Sequence, residues 1–243
     1  MEKVDPYFNK DETNILKGIA IIFMFILHFF TIPDFYINGI EYTYLENIAP
    51  YLNKIFGICV GIFAFITGYC YYFVKNKNYK YSLKKITDLW IVYLFVFIIL
   101  LIITFSLGCF YDKNILEIIL EEIFGLKGYI MYFCWYVVFY FLSMLILPIY
   151  NLIASKNIFF ACFFGVIFPI VFVDLLNIII GQSDFIVLVL LKQILNNLVW
   201  FPIIASGYIF SRYNIFSLIF DKIFNNKLKI FFYCLLFSVP LVA

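Results

Sequence analysis

The chain has 243 residues, 65% of them hydrophobic and 13% charged, with a formal net charge of +2. Soluble globular domains average about 45–50% apolar residues, so a soluble enzyme or carrier is excluded. The small positive charge carries no nucleic-acid signal, because the lysines punctuate apolar runs and form no basic face.

The apolar runs are about 20 residues long, the length that lets a helix cross a hydrocarbon core of roughly 30 Å. In chain order they predict spans near 15–33, 53–74, 87–108, 129–151, 158–180 and 190–210, and a last run from 228 is still apolar at Ala243. The expected fold is all-α: a polytopic transmembrane helix bundle of six spans plus a partial seventh, forming a single domain over 1–243. The residues before the first span mix both charges, and no small-residue cleavage site follows it, so no signal peptide is read there.

Charge alternates from loop to loop. Lys3, Lys10 and Lys17 precede the first span, and Asp34, Glu41 and Glu46 follow it. The next connection, KNKNYKYSLKK, holds Lys75, Lys77, Lys80, Lys84 and Lys85 and no acid. The excess of lysine and arginine on one side throughout places the N-terminus in the cytoplasm.

The first span, LKGIAIIFMFILHFF, carries Lys17 and the only histidine, His28. Eleven helical steps come within about 20° of three whole turns, so both side chains project from one face, roughly 16 Å apart along the axis. Two readings are open. His28 is a neutral hydrogen-bonded residue between helices while Lys17 snorkels, or the stripe lines a channel. In the second, Lys17 meets an anionic donor with an extended arm, such as coenzyme A, and His28 acts deeper as general base.

In the second span Gly68 reads first as a close-packing residue. Lys84 and Lys85 satisfy the positive-inside rule and also suit donor phosphates. The third loop, DKNILEIILEEIFGLKGY, shows helical spacing, with Glu117, Glu121 and Glu122 between apolar residues, and predicts an amphipathic helix on the outer leaflet. Trp135 and Tyr136 then fall near an outer interface, where an aromatic belt is expected anyway. Asp88 and the pair Asp174 and Asn177 are the polar residues nearest to or within spans, and either acid is a candidate for orienting His28. The six cysteines have no CxxC spacing and read as small apolar residues, so no metal is expected. Serine-nucleophile, zincin and P-loop motifs are absent from the sequence.

Five stretches together resemble the acyltransferase 3 family of multi-pass membrane acyltransferases. LKGIAIIFMFILH has a basic residue, ten residues, then the histidine that the family treats as catalytic. FAFITGYCYYF contains Thr67-Gly68-Tyr69, and YSLKKITDLW has Lys84 and Lys85 where the family commonly has arginines. IFGLKGYIMYFCWYVVFYFLSMLILPIY carries Gly125-Leu126, Trp135-Tyr136 and Pro148, and WFPIIASGYIFSR resembles the later Gly-Tyr span. The resemblance implies transfer of an acyl group, commonly acetyl, from acyl-CoA (acetyl-CoA) to a hydroxyl of a cell-surface glycan or lipid-linked sugar, in the plasma membrane. It implies His28 as catalytic, Lys17, Lys84 and Lys85 as donor-binding, and Gly68, Trp135 and Tyr136 as pocket residues. Val137 and Val138 stand where some subgroups carry an acid, and lysine keeps arginine's charge without its bidentate geometry. The family's bundle usually has more spans, so the chain is expected to be C-terminally incomplete. A glycan or lipid transporter or flippase, and an inactive truncated fragment, are the alternative functions.

Overall fold

A computed structural model describes residues 7–31, 51, 54–107, 115–123, 130–131, 134–180 and 186–218. The helices are α1 (Lys10–Thr31), α2 (Ile58–Tyr72), α3 (Tyr79–Ser106), α4 (Ile115–Ile123), α5 (Cys134–Ala154), α6 (Ile158–Cys162), α7 (Phe168–Ile180), α8 (Ile186–Asn196) and α9 (Phe201–Arg212). A π turn, Phe163–Ile167, joins α6 to α7, and a 3-10 turn, Asn197–Trp200, joins α8 to α9. No strand occurs among the described residues, as the all-α reading requires.

Five described segments are long and apolar enough to cross a membrane: Lys54–Tyr72, Tyr79–Ser106, Cys134–Ala154, Ile158–Ile180 and Leu191–Arg212. They match the expected spans two to six, so this is a multi-pass membrane protein. The count is lower than the six and a partial seventh that the sequence predicts. The first expected span is α1, a 22-residue helix outside those five, and the run from 228 lies outside the described residues. The basic stretch is also not a loop: α3 begins at Tyr79 and takes Lys84 and Lys85 into its first turns, capped by the Asn78 side chain accepting from Tyr81 N–H.

The chain forms two compact units, Met1–Phe73 with Ser206–Ala243, and Val74–Ala205. In the first unit, Asn9 and Glu12 start α1 by a reciprocal capping box: Asn9 N–H donates to Glu12 Oε2 and Glu12 N–H to Asn9 Oδ1, each at 2.9 Å. Leu16, Ala20, Phe23, Met24 and Leu27 of α1 pack on Ile58, Cys59, Ile62 and Ile66 of α2. Helix α2 also meets the later half of α9. The Ser211 hydroxyl donates to the Tyr69 carbonyl at 3.0 Å, the Tyr69 hydroxyl accepts from Phe8 N–H at 2.9 Å, and Tyr72 packs edge-on against Tyr208.

In the second unit α5 is the hub. It packs against α3, the π turn and the 3-10 turn. Both turns stand just before a proline, Pro169 or Pro202, in the first turn of the next helix. A proline ring crowds the carbonyl four residues back and supplies no N–H, so the ladder widens or tightens there instead of continuing as α-helix. Gly165 sits inside the π turn because a β-carbon would meet the Tyr150 hydroxyl and Ala205.

Gly207 is the tightest approach in the first unit, since a β-carbon there would collide with the Phe65 carbonyl. Gly207→Ala is expected to cost about 1–3 kcal/mol as overpacking, read as a lower unfolding midpoint in detergent. Gly18→Ala, with nothing within 4 Å of the added carbon, serves as the control and should hold or raise the midpoint, because alanine is the better residue inside a helix.

Candidate functional site

Lys17 and His28 lie on one unbroken helix, because α1 runs from Lys10 to Thr31. Both are half-buried. Ile15, Ile21, Ile22 and Phe25 are the exposed large residues of the same helix, while Leu16, Ala20 and Leu27 face α2. The Lys17–His28 stripe follows the border between these two faces. Lys17 is within electrostatic reach of Cys70, in the last turn of α2. Gly68 is buried two residues earlier on that helix, about 200° round it from Cys70.

Helix α9, whose Ser211 bonds the Tyr69 carbonyl, ends in the chain's only arginine. Arg212 hydrogen-bonds the fully buried Tyr208 and Tyr213, and lies 5.8 Å from the Tyr213 ring centroid. The planar guanidinium suits two hydroxyls and a ring in a way an ammonium does not. Its legible signal was a lone arginine in a chain that otherwise uses lysine.

Lys84 and Lys85 belong to the second unit. Lys84 is exposed. Lys85 Nζ is 4.0 Å from Asp88 Oδ2 and 5.9 Å from the Tyr81 ring centroid, so Asp88 is engaged one turn along its own helix. Asp174 is exposed on α7 and Asn177 half-buried, so the two do not form the inward-facing pair expected of them.

Trp135 and Tyr136 open α5. Trp135 packs against Trp200 of the 3-10 turn, ring centroids 5.7 Å apart, and Tyr136 against Phe139. Both are half-buried. They are the second and third residues of the crossing segment Cys134–Ala154, and the neighbouring Cys134 and Val137 pack in one cluster with Tyr93 and Phe97 of α3. Trp200 was not singled out in the sequence, although its place before Phe201-Pro202 marks a helix break.

Glu122 is the other residue that sequence reasoning passed over. It was expected on the polar, outward face of α4, yet it is 0% exposed. Its Oε1 accepts from the backbone N–H of Ile130 and from that of Met131, the latter at 3.2 Å. Its own carbonyl accepts from the Tyr93 hydroxyl at 2.7 Å. Cys59 and Cys134 are buried among apolar residues. No group of three or more histidine, cysteine or acidic residues able to hold a metal occurs among the described residues.

The sequence model of the family Acyl_transf_3, described as an acyltransferase domain, matches residues 11–243. The chain therefore belongs to the acyltransferase 3 family and is a membrane acyltransferase. No curated protein matches it, and no solved structure does.

Arg212→Lys keeps the charge and loses the fork toward two tyrosines. It is expected to destabilise by about 1–2 kcal/mol, nearly as much as Arg212→Gln, in thermal unfolding of the detergent-solubilised protein. A lysine variant as stable as wild type would show that charge alone matters there.

Proposed function

We propose that the protein is a plasma-membrane O-acyltransferase that moves an acyl group, acetyl in the simplest case, from cytoplasmic acyl-CoA to a hydroxyl of a cell-surface glycan or lipid-linked sugar. The observation that carries this reading is the Lys17–His28 stripe on an unbroken α1 at the border of its packed face, in a chain of an acyltransferase family. The whole chain, 1–243, acts in this reading as one acyltransferase domain.

Lys17 holds a phosphate-bearing part of the donor near the cytoplasmic end, and the extended arm brings the thioester toward His28. An imidazole nitrogen of His28 takes the proton from the sugar hydroxyl. The hydroxyl oxygen attacks the thioester carbonyl, a C–O bond forms, the C–S bond breaks, and the leaving thiolate receives the proton from the imidazolium. Gly68 of the first unit, and Trp135 and Tyr136 of the second, half-buried aromatic residues, are proposed as pocket residues. Lys84 and Lys85 of α3 are proposed as donor-phosphate ligands, with Lys85 also beside Asp88.

Pro-broken helices also occur in transporters, and substrate counterflow without any acyl transfer would favour a glycan or lipid transporter. Membranes supplied with labelled acetyl-CoA and glycan test the reading directly. His28→Ala is expected to lower transfer by about 100-fold or more with donor binding kept, whereas Lys17→Ala raises the donor KM. Because His28 is the only histidine, a histidine-selective acylating reagent should inactivate at one site, and acetyl-CoA should slow it. Equal transfer by His28→Ala and wild type would remove the mechanism.

A further inference from the structure

We propose that the polar face of α8 and the Trp135–Trp200 pair form a sugar-binding subsite, which takes one hydroxyl-rich ring of the acceptor.

Three observations converge. The first is a polar face where apolar residues are expected. Leu191–Arg212 is long and apolar enough to cross a membrane, yet it opens with LKQILNN, which holds Lys192, Gln193, Asn196 and Asn197. At about 100° per residue these four fall within an arc of roughly 150°. The 3-10 turn Asn197–Trp200 then brings Trp200 into register with Asn197. Gln193 is exposed and the other four are half-buried, while Leu198, on the opposite side, is buried. Acyl chains do not solvate an ammonium and three amides, so within a crossing segment such a face borders water or a polar ligand.

The second is a surplus of acceptors. Asn197 Nδ2 donates to the carbonyls of Gln193 and Ile194, at 3.3 and 3.2 Å. With the nitrogen turned back onto its own helix, the amide presents its oxygen to whatever lies outside. Asn196 Oδ1 is buried and accepts no hydrogen bond from the described residues, which is a cost that an incoming donor removes. Each sugar hydroxyl is such a donor.

The third is the aromatic shelf. The Trp135 and Trp200 rings have centroids 5.7 Å apart and planes inclined at 37°, and both residues are half-buried. The apolar side of a sugar ring is lined with C–H bonds, which pack on the electron-rich face of an indole. Amide acceptors beside aromatic area are what a small-molecule pocket uses to orient a ligand. All these residues belong to the second unit. The alternation of loop charges puts the starts of both crossing segments, Cys134 and Leu191, on the outer side, where a cell-surface sugar arrives.

The role of this sugar as acceptor rests on the acyl-transfer reading, and its binding does not. The chain has three tryptophans, and Trp90 is exposed on α3. Trp90→Phe therefore leaves the two indoles of the shelf as the reporters. The full chain would be held in lipid nanodiscs, free of sugar-headed detergent. The probes are soluble pentasaccharides of glucose, galactose and N-acetylglucosamine, and N-acetylglucosamine linked to a polyprenyl diphosphate. A saturable change in indole emission is expected with at least one of them. A response to a soluble probe alone marks a free glycan as the source, and a response to the linked sugar alone marks a lipid carrier.

Trp200→Leu and Asn197→Ala should each weaken binding about tenfold. Asn196→Leu separates a binding role from a structural one. It removes an unpaired buried acceptor, so the unfolding midpoint should hold or rise while binding weakens about tenfold. A merely structural asparagine would lower the midpoint and leave binding unchanged. If Trp200→Leu does not accumulate, Gln193→Leu, at an exposed position, is expected to show the same direction. In the labelled-acetyl assay the same variants should raise the acceptor KM with the donor KM unchanged. No emission change with any probe overturns the inference, and so do Asn196→Leu and Gln193→Leu that bind as wild type does. Sugar binding in a chain that transfers no acyl group would sink the enzymatic reading and leave the subsite standing.

Discussion

Backbone amides in a hydrocarbon environment have no water to turn to, and every departure from α-helix must find its partners within the protein. That constraint organises the second unit. Its non-α backbone includes the π turn before Pro169, the 3-10 turn before Pro202, and residues 130–131. All three lie against or just ahead of α5. Local side chains meet the need, with Glu122 accepting from two amides and the Tyr150 hydroxyl donating to the Ala161 carbonyl at 2.9 Å. The polar and aromatic groups therefore gather round one helix. Helix α3, by contrast, shows a long apolar flank, with Ile91, Val92, Phe95, Ile98 and Ile102 exposed.

The first unit meets the same demand with unbroken helices and close approach. Gly207 lets α9 come within contact of the Phe65 backbone, and Tyr208, Ser211 and Arg212 then fall beside the end of α2. This brings α9, which ends in Arg212, to the α2 end that Lys17 also reaches, where the last carbonyls carry partial negative charge. The proposed donor site at Lys17 inherits that setting. Its cation is held at a chosen spot by a packed helix pair rather than by a flexible loop.

Much of the architecture was legible. Twenty-residue apolar runs report lipid crossing whatever the tertiary packing, so spans two to six were readable, and the ordered basic and aromatic stretches were enough to expect the family. Legibility failed where the rule for water and the rule for lipid differ. The period of the third loop correctly gave a helix at Ile115–Ile123. The same spacing set Glu117, Glu121 and Glu122 between the apolar residues of a helix on the outer leaflet, and burial of Glu122 removes that one residue from the polar face. Trp135 and Tyr136 were placed near an interface because aromatic residues usually sit there, and they open the crossing segment Cys134–Ala154. Asp174 was expected to face inward by the cost of charge in lipid, yet it lies exposed on α7. The residues proposed for catalysis and binding stood out through resemblance and spacing. Arg212 and Trp200 belonged to no pattern that local periodicity records.

Tyr69 has a consequence for how the protein is made. Its hydroxyl receives the Phe8 amide from one direction and its carbonyl receives the Ser211 hydroxyl, 142 residues later in the chain, from the other. Contacts of such long sequence separation form late. Helices α1 and α2 are synthesised together, but the surface of α2 that accepts α9 stays bare while the whole of the other unit emerges, for roughly ten seconds or more at ordinary rates of elongation. During that interval α9 is not yet there to cover that face. Assembly of the first unit is thus timed by the ribosome, and the slot at Phe65 is held open until a glycine arrives to fill it.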